Sequence, residues 1–110
     1  MIEELLGFRA PSSEDEEERK VVVKRLVLDV VKPHNPSIVD IAEGLSELKN
    51  VTKVDIEVKD YDSNIERLKL VIEGEGLDYD EIVKVIRYYG GNVASLDGVT
   101  VHSYKREEKE

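Results

Sequence analysis

The sequence of 110 residues contains no cysteine, no glutamine and no tryptophan, and only one phenylalanine. The absence of cysteine excludes disulfides, thiolate metal sites, iron–sulfur clusters and cysteine nucleophiles. No apolar run approaches the roughly 20 residues of a membrane-spanning helix, and no signal-peptide core is present. We therefore expect a cytoplasmic protein. The lack of glutamine and cysteine beside abundant Glu and Lys is typical of heat-adapted proteins and predicts a thermophilic source.

Charge is unevenly distributed along the chain. Acidic residues outnumber basic ones by 25 to 16, which gives a net charge of −9 and argues against nonspecific binding to nucleic acid or an anionic membrane. The run Ser12–Glu18 has almost no apolar content, which is typical of disorder. The sequence thus predicts a largely disordered acidic extension over residues 1–19, one domain over residues 20–104 and a charged tail over residues 105–110.

The first eight residues differ from the acidic run that follows them. Ile2, Leu5, Leu6 and Phe8 would form an apolar stripe on one or two helical turns. A segment this short is only marginally stable as an isolated helix, so one interpretation is a frayed terminus. The other is a segment that docks on a surface of this chain or of a neighbour.

Hydrophobic periodicity predicts four strands and two helices over the rest of the chain. Strands are expected at residues 21–31, 54–59, 67–73 and 92–102, the last one broken near Asp97 and Gly98. The first helix is expected to begin with Asn35 as its N-cap and Pro36 at its first helical position, and to stop at Asn50.

The second helix has a clearer start and end. Asp78 followed three residues later by Glu81 is a capping box, and Gly90 with Gly91 marks the end. The element order β-α-β-β-α-β predicts an α+β fold of the ferredoxin-like type, in which a four-stranded antiparallel sheet carries both helices on one face.

The other sheet face is bare in such a fold, and its centre is apolar here. Leu26, Leu28 and Val30 form the core set of the first strand, so Val27 and Val31 point to the bare face, where Val71 of the third strand joins them. One interpretation is that scattered valines follow strand propensity. The other is that another subunit or the Ile2–Phe8 segment covers the patch.

Asp29 interrupts the apolar run of the first strand. A carboxylate beneath a covering surface needs a partner or a cation. One interpretation is a salt bridge to Arg25, Arg67 or Lys69; the other is a ligand role in a divalent-cation or small-molecule site at a subunit contact. Oxygen ligands are plentiful and histidines are few, so calcium or magnesium is favoured over zinc or copper, with Asp97 as a second ligand.

The turn after the first strand is the most concentrated polar segment. It leads into the N-terminus of a helix, where backbone N–H groups favour an anion, and Lys32, His34 and Ser37 add donors. The alternative interpretation is ordinary turn chemistry, in which the prolines supply rigidity and Asn35 supplies the cap.

Residues 23–98 resemble the archaeal family known as domain of unknown function 211. The resemblance depends most on the stretch Arg25–Val39, and it continues more weakly in Ile72–Gly74, Leu77–Ile82, Gly90–Gly91 and Ser95–Asp97. It implies a ferredoxin-like fold, an archaeal source, a ring-like homo-oligomer and a bound divalent cation among relatives. It implies no particular activity.

These observations favour a non-enzymatic, homo-oligomeric module that binds a small anionic ligand or a divalent cation. In that hypothesis the turn residues Lys32, His34 and Ser37 meet an anion, and Asp29 and Asp97 meet a cation. The alternative is an enzyme acting on an anionic metabolite, with His34 as acid or base and Lys32 holding the anion. No nucleophile with an orienting partner is evident for it.

Overall fold

The computed structural model describes residues 19–105, which form one antiparallel sheet and two helices. The elements are β1 (Arg19–Pro33), α1 (Ile38–Ser46), β2 (Val51–Tyr61), β3 (Ile65–Gly74), α2 (Tyr79–Tyr88) and β4 (Asn92–Lys105). The strand order across the sheet is β2-β3-β1-β4, so the first and third strands are central. This arrangement confirms the ferredoxin-like α+β fold. The expectations for residues 1–18 and 106–110 lie outside the described residues.

Alternation along the two central strands builds the core. The aliphatic side chains that β1 and β3 contribute to the hydrophobic core are Leu26, Leu28, Val30, Leu68, Leu70 and Ile72. Against them pack Ile41 and Leu45 of α1 and Ile82 and Ile86 of α2, which are spaced four residues apart and so share one helix face. Both helices therefore cover the same side of the sheet. Within residues 19–105, neither helix is long and apolar enough to cross a membrane.

The prediction for the first helix boundary was wrong. The N-cap is Ser37, whose hydroxyl accepts a hydrogen bond from the Asp40 backbone N–H at 3.4 Å, and α1 begins at Ile38. Asn35 and Pro36 lie outside the helix, in the preceding turn. The segment holds two residues of N-cap type, and the serine is the one that satisfies a free N–H of the first turn.

The end of α1 also differs from the prediction. The helix stops at Ser46, four residues before Asn50. The following turn is held by shorter-range hydrogen bonds from Leu48 N to Leu45 O and from Val51 N to Leu48 O, both 3.1 Å. Tightening of the last turn in this way is common at helix C-termini.

The second helix begins and ends as predicted. The Asp78 side chain accepts hydrogen bonds from the Asp80 and Glu81 backbone N–H groups, at 3.1 and 3.3 Å. After α2, Gly90 has a φ of +87°, a left-handed conformation that glycine adopts without steric cost. Gly91 N then donates to Ile86 O at 2.9 Å and closes the helix end.

Candidate functional site

The three valines predicted for the bare sheet face lie on that face. Val27 and Val71 are direct partners in the pairing of β1 with β3, and Val31 follows four residues after Val27 on the same side. Their neighbours Leu26 and Leu28 point into the core on the other side. Each of the three valines is half-buried, so the centre of this face is apolar without being covered by either helix.

Asp29 forms an ion pair with Arg67, one of the three partners considered for it. The Arg67 Nε lies 3.2 Å from both carboxylate oxygens, and Nη2 lies 3.0 Å from Oδ2. The Asp29 hydrogen bonds raise the pKa of the Arg67 guanidinium, and the charge of Asp29 adds to this effect. The Asp29 side chain is 21% exposed, so the pair sits at the surface of the bare face rather than in the core.

Two β-bulges shape a depression of about 400 Å³ on this face. The register between β2 and β3 shifts around Lys59, and the register between β1 and β4 shifts around Asp97. An extra residue in a strand redirects a side chain, and both charged residues line the depression. Val27 lies at its floor opposite Gly98, which has no side chain to fill the space. The predicted break near Asp97 and Gly98 is therefore present as a bulge within β4.

Asp29 and Asp97 line the same depression, but their donor set does not fit a calcium or magnesium site within one chain. The Asp29 carboxylate already accepts hydrogen bonds from Arg67, and the Ser95 hydroxyl donates to Asp97 Oδ1 at 2.7 Å. Residues 19–105 contain no group of three side chains placed to hold a metal ion. Calcium takes six to eight oxygen ligands and magnesium six in octahedral geometry.

Lys32 is not an exposed turn residue. It is the last inward-facing residue of β1, is 1% exposed, and pairs with Glu66 across the strands. Its Nζ donates to Glu66 Oε1 at 3.0 Å, to Pro33 O at 2.5 Å and to His34 O at 3.2 Å. An ammonium group has three N–H donors, so protein acceptors use all of them.

His34 joins the same cluster through Glu66. Its Nδ1 lies 3.1 Å from Glu66 Oε2, its Nε2 lies 2.8 Å from Asp62 O, and the ring stacks on Tyr61 with centroids 4.4 Å apart. Both neighbours are hydrogen-bond acceptors, so each ring nitrogen faces a group to which an N–H can donate. Lys32 and His34 thus meet at Glu66, whereas Ser37 is used as the cap of α1.

Glu66 is the residue that sequence reasoning missed. Burial raises the pKa of its carboxyl, but hydrogen bonds from Lys32 and His34 and their charges outweigh burial, so the pKa lies below its ordinary value of 4.5. A signal was available, because the core alternation of β3 through Leu68, Leu70 and Ile72 extends back by one step to Glu66. The same step along β1 leads from Val30 to Lys32.

Comparison with known proteins identifies a family and a relative of this chain. The family model DUF211, described as "Uncharacterized ArCR", matches residues 24–110. A protein of Methanocaldococcus jannaschii, itself named as uncharacterized, is 44% identical over 77 residues, which cover 70% of this chain and 79% of that relative. Residues 1–23 lie outside the family match. The family match covers most of the chain, as does the relative, and the fold agrees with the resemblance seen in the sequence. The chain therefore belongs to the DUF211 family.

Proposed function

We propose that the protein is a non-enzymatic, homo-oligomeric binding module that holds a small anion on its bare sheet face. The observation that carries this proposal is the depression between the two bulges, which combines an apolar floor with a charged rim. Small-molecule sites have this character, since apolar walls exclude water and a few polar groups orient the ligand.

The charge of the depression favours an anion. Its rim carries Lys59, Arg67 and Lys69 against Asp29 and Asp97, which makes it locally positive in a chain of net charge −9. Arg67 already neutralises Asp29. Lys59 lies 3.6 Å from Glu57, whereas Lys69 has no ion-pair partner within 4.0 Å among residues 19–105. Lys69 is therefore the cation best placed to bind a ligand.

The apolar centre of the face supports the assembly part of the proposal. Val27 and Val71 form a contiguous pair at the middle of the sheet, and Val31 continues it along β1. Solvent-facing sheet surfaces normally alternate to polar residues at such positions. A second copy placed over these valines would remove them from water and close the depression from above.

The alternative, an enzyme using His34 and Lys32, has less support from the geometry. Every N–H of Lys32 and both ring nitrogens of His34 face protein acceptors. An anion would have to displace Glu66 from a buried ion pair before either residue contacted it.

The proposal predicts where inorganic phosphate, used as a probe anion, contacts the protein. In an NMR titration we expect phosphate to shift the backbone amides of Asp29, Lys69 and Asp97. Lys69→Gln is expected to weaken this binding at least about tenfold, because a hydrogen bond to a charged group contributes about 1.5–3 kcal/mol. Lys84→Gln, on α2 at the other surface, is the matched control and leaves binding unchanged.

Two results would count against this site. Shifts confined to the turn at His34 would favour the enzyme hypothesis instead. Calcium chloride that shifts Asp29 and Asp97 while phosphate does not would show that the face selects cations.

A further inference from the structure

The helix-side face of the sheet is not fully covered, and a separate apolar strip remains along β4. Helices α1 and α2 have 9 and 10 residues and so extend about 15 Å, whereas the 14 residues of β4 extend about 46 Å. Four aliphatic side chains of β1 and β4 on this face are 46–66% exposed, and we call them the apolar strip: Val21, Leu96, Val99 and Val101.

Strand pairing places these four residues on one side. Val99 pairs with Leu26 and Leu96 pairs with Leu28, both of which are buried in the core. Val101 pairs with Val23, which packs against the same core, and Val21 lies two residues before Val23. The strip is therefore continuous with the hydrophobic core and lies on the face opposite Val27 and Val71.

We propose that residues 2–8 of the same chain bind the apolar strip. The sequence has 18 residues before Arg19, which starts β1. Arg19 pairs with Lys105 at the end of the β1–β4 strand pair, and this strand pair carries the strip. Apolar residues are concentrated at one place in that segment, namely Ile2, Leu5, Leu6 and Phe8. They supply the class of side chain that a strip of valines and a leucine buries most favourably.

The distances permit binding within one chain. From Arg19, the strip begins two residues along β1 at Val21 and reaches Val99 after about 20 Å, the length of six strand residues. Ten residues lie between Phe8 and Arg19, so the eleven steps from one to the other extend to at most about 40 Å. A tether of this length gives the segment a high effective concentration at the strip, which favours binding to its own chain over binding to a neighbour.

The charges between the segment and β1 also favour binding of residues 2–8 to the strip of the same chain. The linking run Ser12–Glu18 carries five consecutive acidic residues and leads directly into Arg19 and Lys20. Residues 1–23, which include the segment and Val21 of the strip, lie outside the family match.

Disulfide trapping tests the proposal in the full chain, because the protein has no cysteine of its own. In Leu6→Cys/Val101→Cys, diamide is expected to form a disulfide within one chain, seen as a loss of two hydrogens at monomer mass. The rate of disulfide formation in this variant is expected to be independent of protein concentration. It is also expected to be at least about tenfold above the rate of disulfide formation in Leu6→Cys/Tyr88→Cys. Tyr88 is 82% exposed on α2 and serves as the distant control.

Equal rates in the two variants would overturn the proposal, as would a disulfide that links two chains. A second measurement does not depend on thiol geometry. Phe8→Ala in the full chain is expected to shift the amide resonances of Val99 and Val101 and to leave those of α2 unchanged. Unchanged resonances at Val99 and Val101 would contradict the proposal.

Discussion

Replacing Glu66 with leucine is expected to lower the free energy of unfolding by about 3–5 kcal/mol, measured by urea unfolding at pH 7. The cause is the Lys32 side chain, which is 1% exposed and would be left in the core without its carboxylate partner. His34 would lose its Nδ1 acceptor at the same time. Removing one member of a buried pair leaves an uncompensated charge, which costs more than the pair itself contributes.

Two controls separate this effect from a general loss of charge. In Lys32→Met/Glu66→Leu most of the stability is expected to return, because apolar side chains of similar volume replace the whole pair. Arg67→Met breaks the exposed pair with Asp29 and is expected to cost no more than about 1 kcal/mol. A loss below about 1 kcal/mol in Glu66→Leu would show that the pair is not buried as described.

Low pH is expected to reduce the contribution of Glu66 to the free energy of unfolding. The pKa of Glu66 is lower in the folded chain than its ordinary value of 4.5, so its carboxylate stabilises the fold above pH 4.5. That contribution is lost as the pH falls through the folded pKa. The difference in stability between the wild type and Glu66→Leu is therefore expected to narrow below pH 4.5, and a difference that widens on acidification would contradict the assignment.

Gly74→Ala is expected to destabilise the fold by about 3 kcal/mol or more. A Cβ atom at this position would lie 1.9 Å from the Asn50 carbonyl oxygen and 2.7 Å from Leu77 Cδ2. The carbonyl is backbone and also accepts a hydrogen bond from Glu75 N at 2.9 Å, so it cannot move aside without losing that contact. The end of β3 must therefore shift in the variant.

Gly98→Ala is the matched control for this prediction. Its Cβ would meet only Val27, with Cγ2 at 3.3 Å and Cβ at 3.4 Å, and its φ lies outside the left-handed region. We expect a change within about 1 kcal/mol, measured by the same urea unfolding. Equal losses in the two variants would show that the contact with Asn50 is not the cause.

Local sequence signals were sufficient to predict the order of the strands and helices. The alternation of Leu26, Leu28 and Val30 marks a strand with one buried face, and Asp78 with Gly90 brackets α2. These features depend on near neighbours in the chain, which is why the element order and the ferredoxin-like fold were predicted correctly. Where two cap residues competed, as at Asn35 and Ser37, sequence reasoning chose the wrong one.

The candidate site depends on contacts between distant residues and was predicted only in part. The sequence indicated that Asp29 needs a partner, but the alternation of polar and apolar residues could not identify that partner as Arg67. The identity of the partner depends on how far the side chains reach across the strand pair. The bulge at Lys59 leaves no mark in the alternating pattern, yet it shapes the rim of the depression. Lys32 and Glu66 were missed as a pair because charged residues are not expected at core positions.

The central claim is that a second copy covers the apolar centre of the bare sheet face, and the mass in solution of Val27→Asp tests it most directly. By size-exclusion chromatography with light scattering at micromolar concentration, the wild type is expected at a multiple of 12.5 kDa. Val27→Asp is expected at 12.5 kDa, and Val39→Asp, which places the same charge at a 59% exposed position on α1, is expected to keep the wild-type mass. A monomeric wild type, or an unchanged mass in Val27→Asp, would contradict the account.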